Sequence, residues 1–402
     1  MSKFRVADVK RSKSSLVPLL ALSAATFTTV SAEMMPSGVL PSLSSAFSIT
    51  EATAGLLVTA WAGTVALTSI PLVRATLRWR RKSVILATLG LMAAANLATA
   101  LAPVYGAALA ARIAAAAAHG LFWAVVVSYA VSLVSPDRVG RALSIVLAGP
   151  TLASLIGLPG GSALAQMLGW RATFVALAIA LLVCVIVVAV AVAVPAIGAG
   201  SPQGRTEKWD RSAKPILLVA AGGFFALIGF YAVFTFIVPV SASIAGIDAA
   251  AMPGVLLASG IGGLVGVLAA GRISDRWPTA ALPLTVLAMA ATLAAMGMAS
   301  APIAYIAWVA VLGGLIGVLP VALQARVMRA ASEQFRNTAG SILITVLNLG
   351  IGAGAALGSA ISASTSPTVL PFLAAAIAAL AFIPLAALRS SSAARRREEV
   401  LR

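Results

Sequence analysis

The 402-residue sequence has one cysteine, Cys184, and one histidine, His119. A lone thiol inside an apolar run allows no internal disulfide and reads as a packing residue. One imidazole and one thiol cannot assemble a His/Cys metal cluster of the usual spacing, so no metal site is expected. Charge is equally scarce. Only 10% of residues are Asp, Glu, Lys or Arg and 61% are hydrophobic, where soluble domains carry about 25% charge. No clustered carboxylates, and no nucleophile with its base, mark a membrane-surface enzyme. The tails are too short for the soluble domain that a membrane sensor is expected to carry.

What the sequence does have is apolar runs of about 20 residues or more, each long enough to cross roughly 30 Å of hydrocarbon as a helix. Hydropathy and helix breakers predict twelve of them, near 16–40, 53–73, 83–102, 105–134, 142–165, 172–194, 215–240, 253–271, 279–299, 303–328, 338–362 and 367–388. The first follows a basic start, and Val30-Ser31-Ala32 looks a little like a signal-peptidase site. Its apolar run continues to Leu40, which is too long for a signal h-region, so a retained helix is expected.

A net charge of +17 raises the question of nucleic acid, and the placement of the charges answers it. Twenty-six of the 28 basic residues fall in the tails and in alternate connections, all on one side of a twelve-span topology. That is the positive-inside pattern, and it places both termini in the cytoplasm. The two left over are Arg171, at the end of a span, and Arg112, within the fourth span.

The polar stretch 195–214 reads as a linker. It divides the chain into a basic tail 1–15, a six-helix half 16–194, a second half 215–388 and a basic tail 389–402. The halves repeat faintly: a shift of roughly 197 residues superposes Gly157 on Gly354 and Gly161 on Gly358, and a slightly larger one Pro41 on Pro239. The expected fold is therefore all-α and integral to the membrane, with two six-helix pseudo-repeats.

Glu33 is the one acidic residue well inside a predicted span. A carboxylate there must face a cavity, pair with a cation or take up a proton; the alternative is a Glu near the boundary that snorkels to water. Ser23, Thr26, Thr29, Glu33 and Ser37 follow helical spacing and form one polar stripe, expected to line an aqueous path. Arg112 lies about seven residues inside the start of its span and Glu33 about seven inside the end of its own, so both sit roughly 10 Å deep. Equal depth permits an ion pair that either switches with protonation or ties two helices together.

His119 shares a face with Arg112, and Trp123 follows one turn later. The imidazole can bind substrate, relay protons or simply pack. Phe224, Tyr231 and Thr235 share another face, as do Ser341, Thr345 and Asn348; such faces suit an amphipathic or neutral polar molecule, or core packing. Gly149, Pro150, Gly157, Pro159 and Gly161 crowd breakers and small residues into the fifth span, where they permit bending and close helix contact.

Together these stretches carry a resemblance. The opening Ser31-Ala32-Glu33-Met34-Met35-Pro36-Ser37-Gly38-Val39-Leu40-Pro41, the segment Ala118-His119-Gly120-Leu121-Phe122-Trp123 after Arg112, and Ala148-Gly149-Pro150 through Gly160-Gly161 are similar to motifs of the major facilitator superfamily. The likeness is to its twelve-span drug:proton antiporter branch, and within that to bacterial efflux proteins for arabinose and other sugars, purine ribonucleosides or chloramphenicol.

The resemblance implies alternating access between the halves, with spans 1, 4, 7 and 10 lining the cavity. Glu33 and Arg112 would serve proton coupling, and Thr26, Thr29, His119, Trp123, Tyr231 and Asn348 the substrate path. It also implies a cytoplasmic gate at Arg80, Arg81, Asp275 and Arg276. The first-half loop departs from the family pattern, since 71–82 holds no acid, whereas Gly271 to Arg276 keeps Asp275. The expectation is a secondary transporter of a bacterial inner membrane, acting as a monomer without a cofactor. It would exchange protons for a small amphipathic molecule, an importer being the alternative.

Overall fold

The computed structural model describes residues 16–76, 78–134, 139–192, 212–332 and 336–388. Both tails, most of the expected linker, and the side chains of Arg141, Arg336 and Ser341 lie outside the described residues. Among the described residues, twelve helices are long and apolar enough to cross a membrane. Numbered as spans 1 to 12, they are Leu16–Gly38, Glu51–Ser69, Arg81–Leu101, Tyr105–Ala130, Ala142–Leu168, Trp170–Ala191, Ala213–Phe234, Ala249–Arg276, Ala281–Met298, Pro302–Ala330, Ile342–Ser364 and Pro367–Leu388. Helices are what such runs must form, because hydrocarbon offers no partner to an unpaired backbone N–H or C=O. No strand occurs among the described residues.

Two corrections concern helix ends. Expected spans 1 and 7 run on to residues 40 and 240. The chain instead breaks after Gly38 and near Thr235, and short separate helices follow, Leu40–Phe47 and Ile237–Ala245. Both end on a left-handed residue, Ser48 (φ 53°) and Gly246 (φ 61°), whose N–H groups cap the carbonyls of the last turn. The two caps stand 198 residues apart, so the same break recurs at the same place in each half.

Within the first half, span 3 packs on spans 4 and 6, span 2 on span 4, and span 1 on spans 5 and 6. In the second, span 8 packs on span 10, span 7 on spans 11 and 12, and span 9 on spans 10 and 12. The halves meet through span 2 with span 11 and span 5 with span 8. These contacts run from the middle of the bundle to the end carrying the two short helices, called here the distal end. Gly38 approaches Leu256, Gly55 approaches Phe236 and Ser359, and Gly352 approaches Ala62. The Gln166 side-chain amide donates to the Ala249 carbonyl across the same end.

The buried apolar residues tell the same story. One cluster fills the second half and continues into the distal part of the first, through Met35, Leu40, Leu57, Leu158 and Phe174. A separate cluster, from Leu19 to Val192, belongs to the first half alone. The two halves thus share a core only at the distal end.

Span 5 shows how local chemistry sets packing. Pro150 has no N–H for the Val146 carbonyl one turn earlier. Thr26 of span 1 supplies the missing donor, its hydroxyl lying 2.8 Å from that oxygen. Gly149 makes the approach possible, because a Cβ there would overlap the Thr26 hydroxyl and the span 1 backbone. Gly157 and Gly161 continue the contact against Ser31 and Met35, and Pro159 is buried. Between Pro150 and Pro159 the helix widens into a π turn, Ala153–Gly157.

Candidate functional site

Glu33 stands five residues before the end of span 1. A helical side chain leans toward the N-terminus of its own helix, so the carboxylate reaches back toward the middle of the bundle. There it meets His119, with Oε2 3.3 Å from Nε2; the Glu33 side chain is 25% exposed and the histidine nearly buried. Arg112, two turns nearer the distal end of span 4, also reaches Glu33. Its Nη2 donates to the Glu33 backbone carbonyl at 3.3 Å.

Equal depth therefore does bring Arg112 to Glu33, but to the carbonyl. The carboxylate takes the histidine, because it leans away from Arg112's level toward His119's. Arg112 is 1% exposed. Its Cζ lies 4.1 Å from the centre of the Trp61 ring and 5.7 Å from that of Phe174. Its Nε and Nη1 have no hydrogen-bond partner, and neither has His119 Nδ1. A buried cation with two unused donors beside a carboxylate is an arrangement that can rearrange: the acid has one partner in hand and another in reserve.

Beside Glu33 lies a small cavity of about 10 Å³, roughly the space of one water. Glu33, Met34, Ser37, Val58, Trp61, Tyr231, Phe234 and Ile351 line it, so it sits on the seam between the halves. The rest of the polar stripe is turned elsewhere. Thr26 and Thr29 are fully buried, with Thr26 bonded to Ser23 and Val146 carbonyls and Thr29 to that of Thr26. They pack span 1 and line no open path in this conformation. Trp123 is half-buried, its ring 6.2 Å from that of His119. Asn348 donates to Ile344 of its own helix and is absent from the cavity wall.

The Major Facilitator Superfamily model matches residues 22–311. The chain is a member of that superfamily. Among its relatives, a chloramphenicol resistance protein of Streptomyces lividans is 34% identical, over 84% of this chain and 87% of that protein. A chloramphenicol efflux pump of Mycobacterium tuberculosis is 29% identical, over 85% and 84%. The fold is shared with a bacterial homolog of the human lysosomal transporter Spinster in an inward-facing and occupied conformation (TM-score 0.68, 17% identity, 92% of each chain). It is also shared with a POT family transporter bound to a thioalcohol-conjugated peptide (TM-score 0.75, 10% identity, 92% and 96%). This superfamily member is a multi-pass membrane transporter and not an enzyme.

Family resemblance implies a cavity lined by spans 1, 4, 7 and 10. The cavity found is walled by spans 1, 2, 7 and 11, with span 4 one layer behind through Arg112 and His119. The difference follows from the closed distal end, where spans 2 and 11 press together and become the wall. The gate residues are not brought together either. Arg80 is exposed at the start of span 3, and Arg81 donates to Ser128 Oγ at 2.9 Å inside the first half. Asp275 pairs with Arg329 at 3.1 Å inside the second, and Arg276 lies 6.0 Å from the Trp277 ring.

Sequence reasoning missed Trp61 and Phe174, the two rings that hold Arg112. The available signal was the position of Trp61. It stands mid-span, whereas tryptophans of membrane proteins collect at the two interfaces.

Proposed function

We propose that this transporter exports a small amphipathic molecule across a bacterial inner membrane in exchange for protons, with Glu33 as the proton carrier. The observation behind this reading is the placement of one carboxylate, on the seam between the halves, with a histidine in contact and an arginine in reserve. Ionised, Glu33 is held by the imidazole it contacts and by the nearby charge of Arg112, both on span 4. Protonated, it loses that attraction, and the contacts of spans 1 and 4 are free to rearrange. A proton and a substrate that favour opposite arrangements of the same seam drive each other across.

The charge tally puts the termini in the cytoplasm, so the closed distal end is the outer one, and the conformation is one that loads from inside. The cavity has room for one water, so a substrate enters only once the seam widens; Tyr231, Phe234, Met34 and Ile351, with Ser37, then offer a ring bearing hydroxyls an apolar wall and one hydroxyl. Phenicols have that form, and two relatives carry chloramphenicol in their names. The gradient supplies the energy, no cofactor takes part, and one chain is the working unit.

Everted membrane vesicles test the reading. Added chloramphenicol is expected to dissipate an imposed pH gradient, and vesicles carrying Glu33→Gln are expected not to respond. A gradient undisturbed by every phenicol, sugar and nucleoside tried would end the antiport reading.

A further inference from the structure

Trp61 has a place in this site that proton exchange alone does not require. It is 2% exposed in the middle of span 2. The Arg112 guanidinium lies over its indole at 4.1 Å. The His119 ring meets it edge-on at 5.2 Å and 61°. A third side of it forms the cavity wall together with Tyr231 and Phe234 of the other half. Its neighbour Ala62 is the residue that Gly352 of span 11 approaches, close enough that a Cβ on the glycine would come within 3.2 Å. One side chain therefore touches both Arg112 and His119, while its own helix carries the contact between the halves.

We propose that Trp61 is a positioning residue that links the charge state of Glu33 to the span 2–span 11 contact, a role that rests on the exchange reading above. The indole face is the strongest of the aromatic seats for a desolvated cation. While Arg112 occupies it, the guanidinium is kept from the Glu33 carboxylate, which stays with His119. When Arg112 turns its unused Nε and Nη1 to the carboxylate, it must leave the ring, and span 2 loses one of its contacts with span 4. The closed seam with span 11 is then free to slide.

The other groups around Glu33 leave this role to Trp61. Arg112 and His119 of span 4 and Tyr231 of span 7 are the titratable side chains that face the acid. Span 5 has no ionisable side chain between Ala142 and Leu168. The charges of the span 2 helix (Glu51 and, beyond the span in the same helix, Arg74) and of span 8 (Arg272, Asp275, Arg276) stand near helix ends, and span 6 adds only Arg171, at its start, and Cys184, hydrogen-bonded to Thr28.

The test uses the full chain in proteoliposomes with chloramphenicol as the probe. It measures gradient-driven uptake as a function of pH, and substrate exchange without a gradient. Trp61→Leu removes the aromatic face and Trp61→Phe keeps one; Trp61→Met replaces the leucine variant should that fail to give a monodisperse protein. Without the face, Arg112 is expected to settle on Glu33 and favour its ionised form. The acid limb of the pH profile should then move about one unit lower. Gradient-driven uptake should fall about ten-fold at an unchanged KM for exchange, and Trp61→Phe should recover most of it.

A wild-type pH profile in the leucine or methionine variant overturns the proposal. So does an equal loss in Phe and Leu variants with a raised KM, which marks plain packing. Glu33→Gln is measured alongside. If it keeps gradient-driven uptake, the exchange reading itself falls; if it loses uptake while Trp61→Leu behaves as wild type, only the role of Trp61 falls.

Discussion

The interface of span 2 with span 4 and its counterpart, span 8 with span 10, occupy equivalent places in the two halves and are built from opposite materials. In the first half the contact holds Trp61, Arg112 and His119. At the repeat spacing of 197 to 198 residues, Trp61 falls on Ala258 or Ser259, Arg112 on Val309 or Ala310, and His119 on Ile316 or Gly317, while Glu33 falls on Phe230 or Tyr231. There the helices touch backbone to backbone: Gly262 lies against the Ala310 carbonyl, Gly313 against that of Ser259, and Gly317 against that of Gly263. The first half spends its interior on one ionisable cluster. The second packs small residues, the usual source of tight helix association in lipid, where no hydrophobic force draws helices together. Chemistry is concentrated on one side of the seam, and the other side offers a rigid wall with a tyrosine facing the acid.

The largest effects are expected where the ionisable cluster is broken. Arg112→Ala leaves Glu33 without the cation that holds its carbonyl and empties a fully buried site. A loss of about 2–5 kcal/mol is expected, as for a large buried side chain truncated to alanine, read as a drop in the thermal midpoint in detergent. Glu33→Gln keeps the shape, and there function, not stability, should fail.

In the second half the expectation is reversed. Gly262→Ala drives a Cβ into the Ala310 carbonyl. Its cost should be about 1–3 kcal/mol through overpacking, with slower turnover but an unchanged number of protons moved per substrate. A change in that ratio would mean that the second half takes part in coupling.

Smaller still is Thr26→Val, which strips the donor from the Val146 carbonyl left free by Pro150. About 1–2 kcal/mol of stability should be lost, and a Thr26→Ser variant should restore it. The exposed pair Asp275–Arg329 stands last. Asp275→Asn should move the thermal midpoint by no more than about 0–1 kcal/mol allows, and a larger shift would show that this pair holds the second half together.

Much of the fold was legible because a membrane leaves few choices. Twelve apolar runs had to be helices, and their ends were marked by charge and breakers. The breaks at Gly38 and Thr235 were not, since short helices beyond them continue in apolar residues with no change of hydropathy.

At the site, helical spacing and depth put Glu33 and Arg112 at one level of the bundle and His119 two turns away on the same face as Arg112. They could not say which atom of Glu33 each would meet, because that depends on how the side chain leans. The polar stripe illustrates the same limit. Spacing puts Thr26, Thr29 and Glu33 on one face, but only tertiary packing decides that Thr26 meets span 5, Thr29 is buried and the acid is left at the cavity. The mid-span position of Trp61 was a signal, but its role and that of Phe174 were out of reach, because a ring becomes the seat of a cation only once three separate helices have come together.

The central claim is that Glu33 carries the proton and is not merely a brace between spans 1 and 4. The most direct measurement compares, for Glu33→Gln in proteoliposomes, chloramphenicol uptake driven by a pH gradient with chloramphenicol exchange in its absence. Gradient-driven uptake is expected to vanish while exchange continues at close to the wild-type rate. Equal retention of both, or equal loss of both in a protein that remains folded, would contradict the claim.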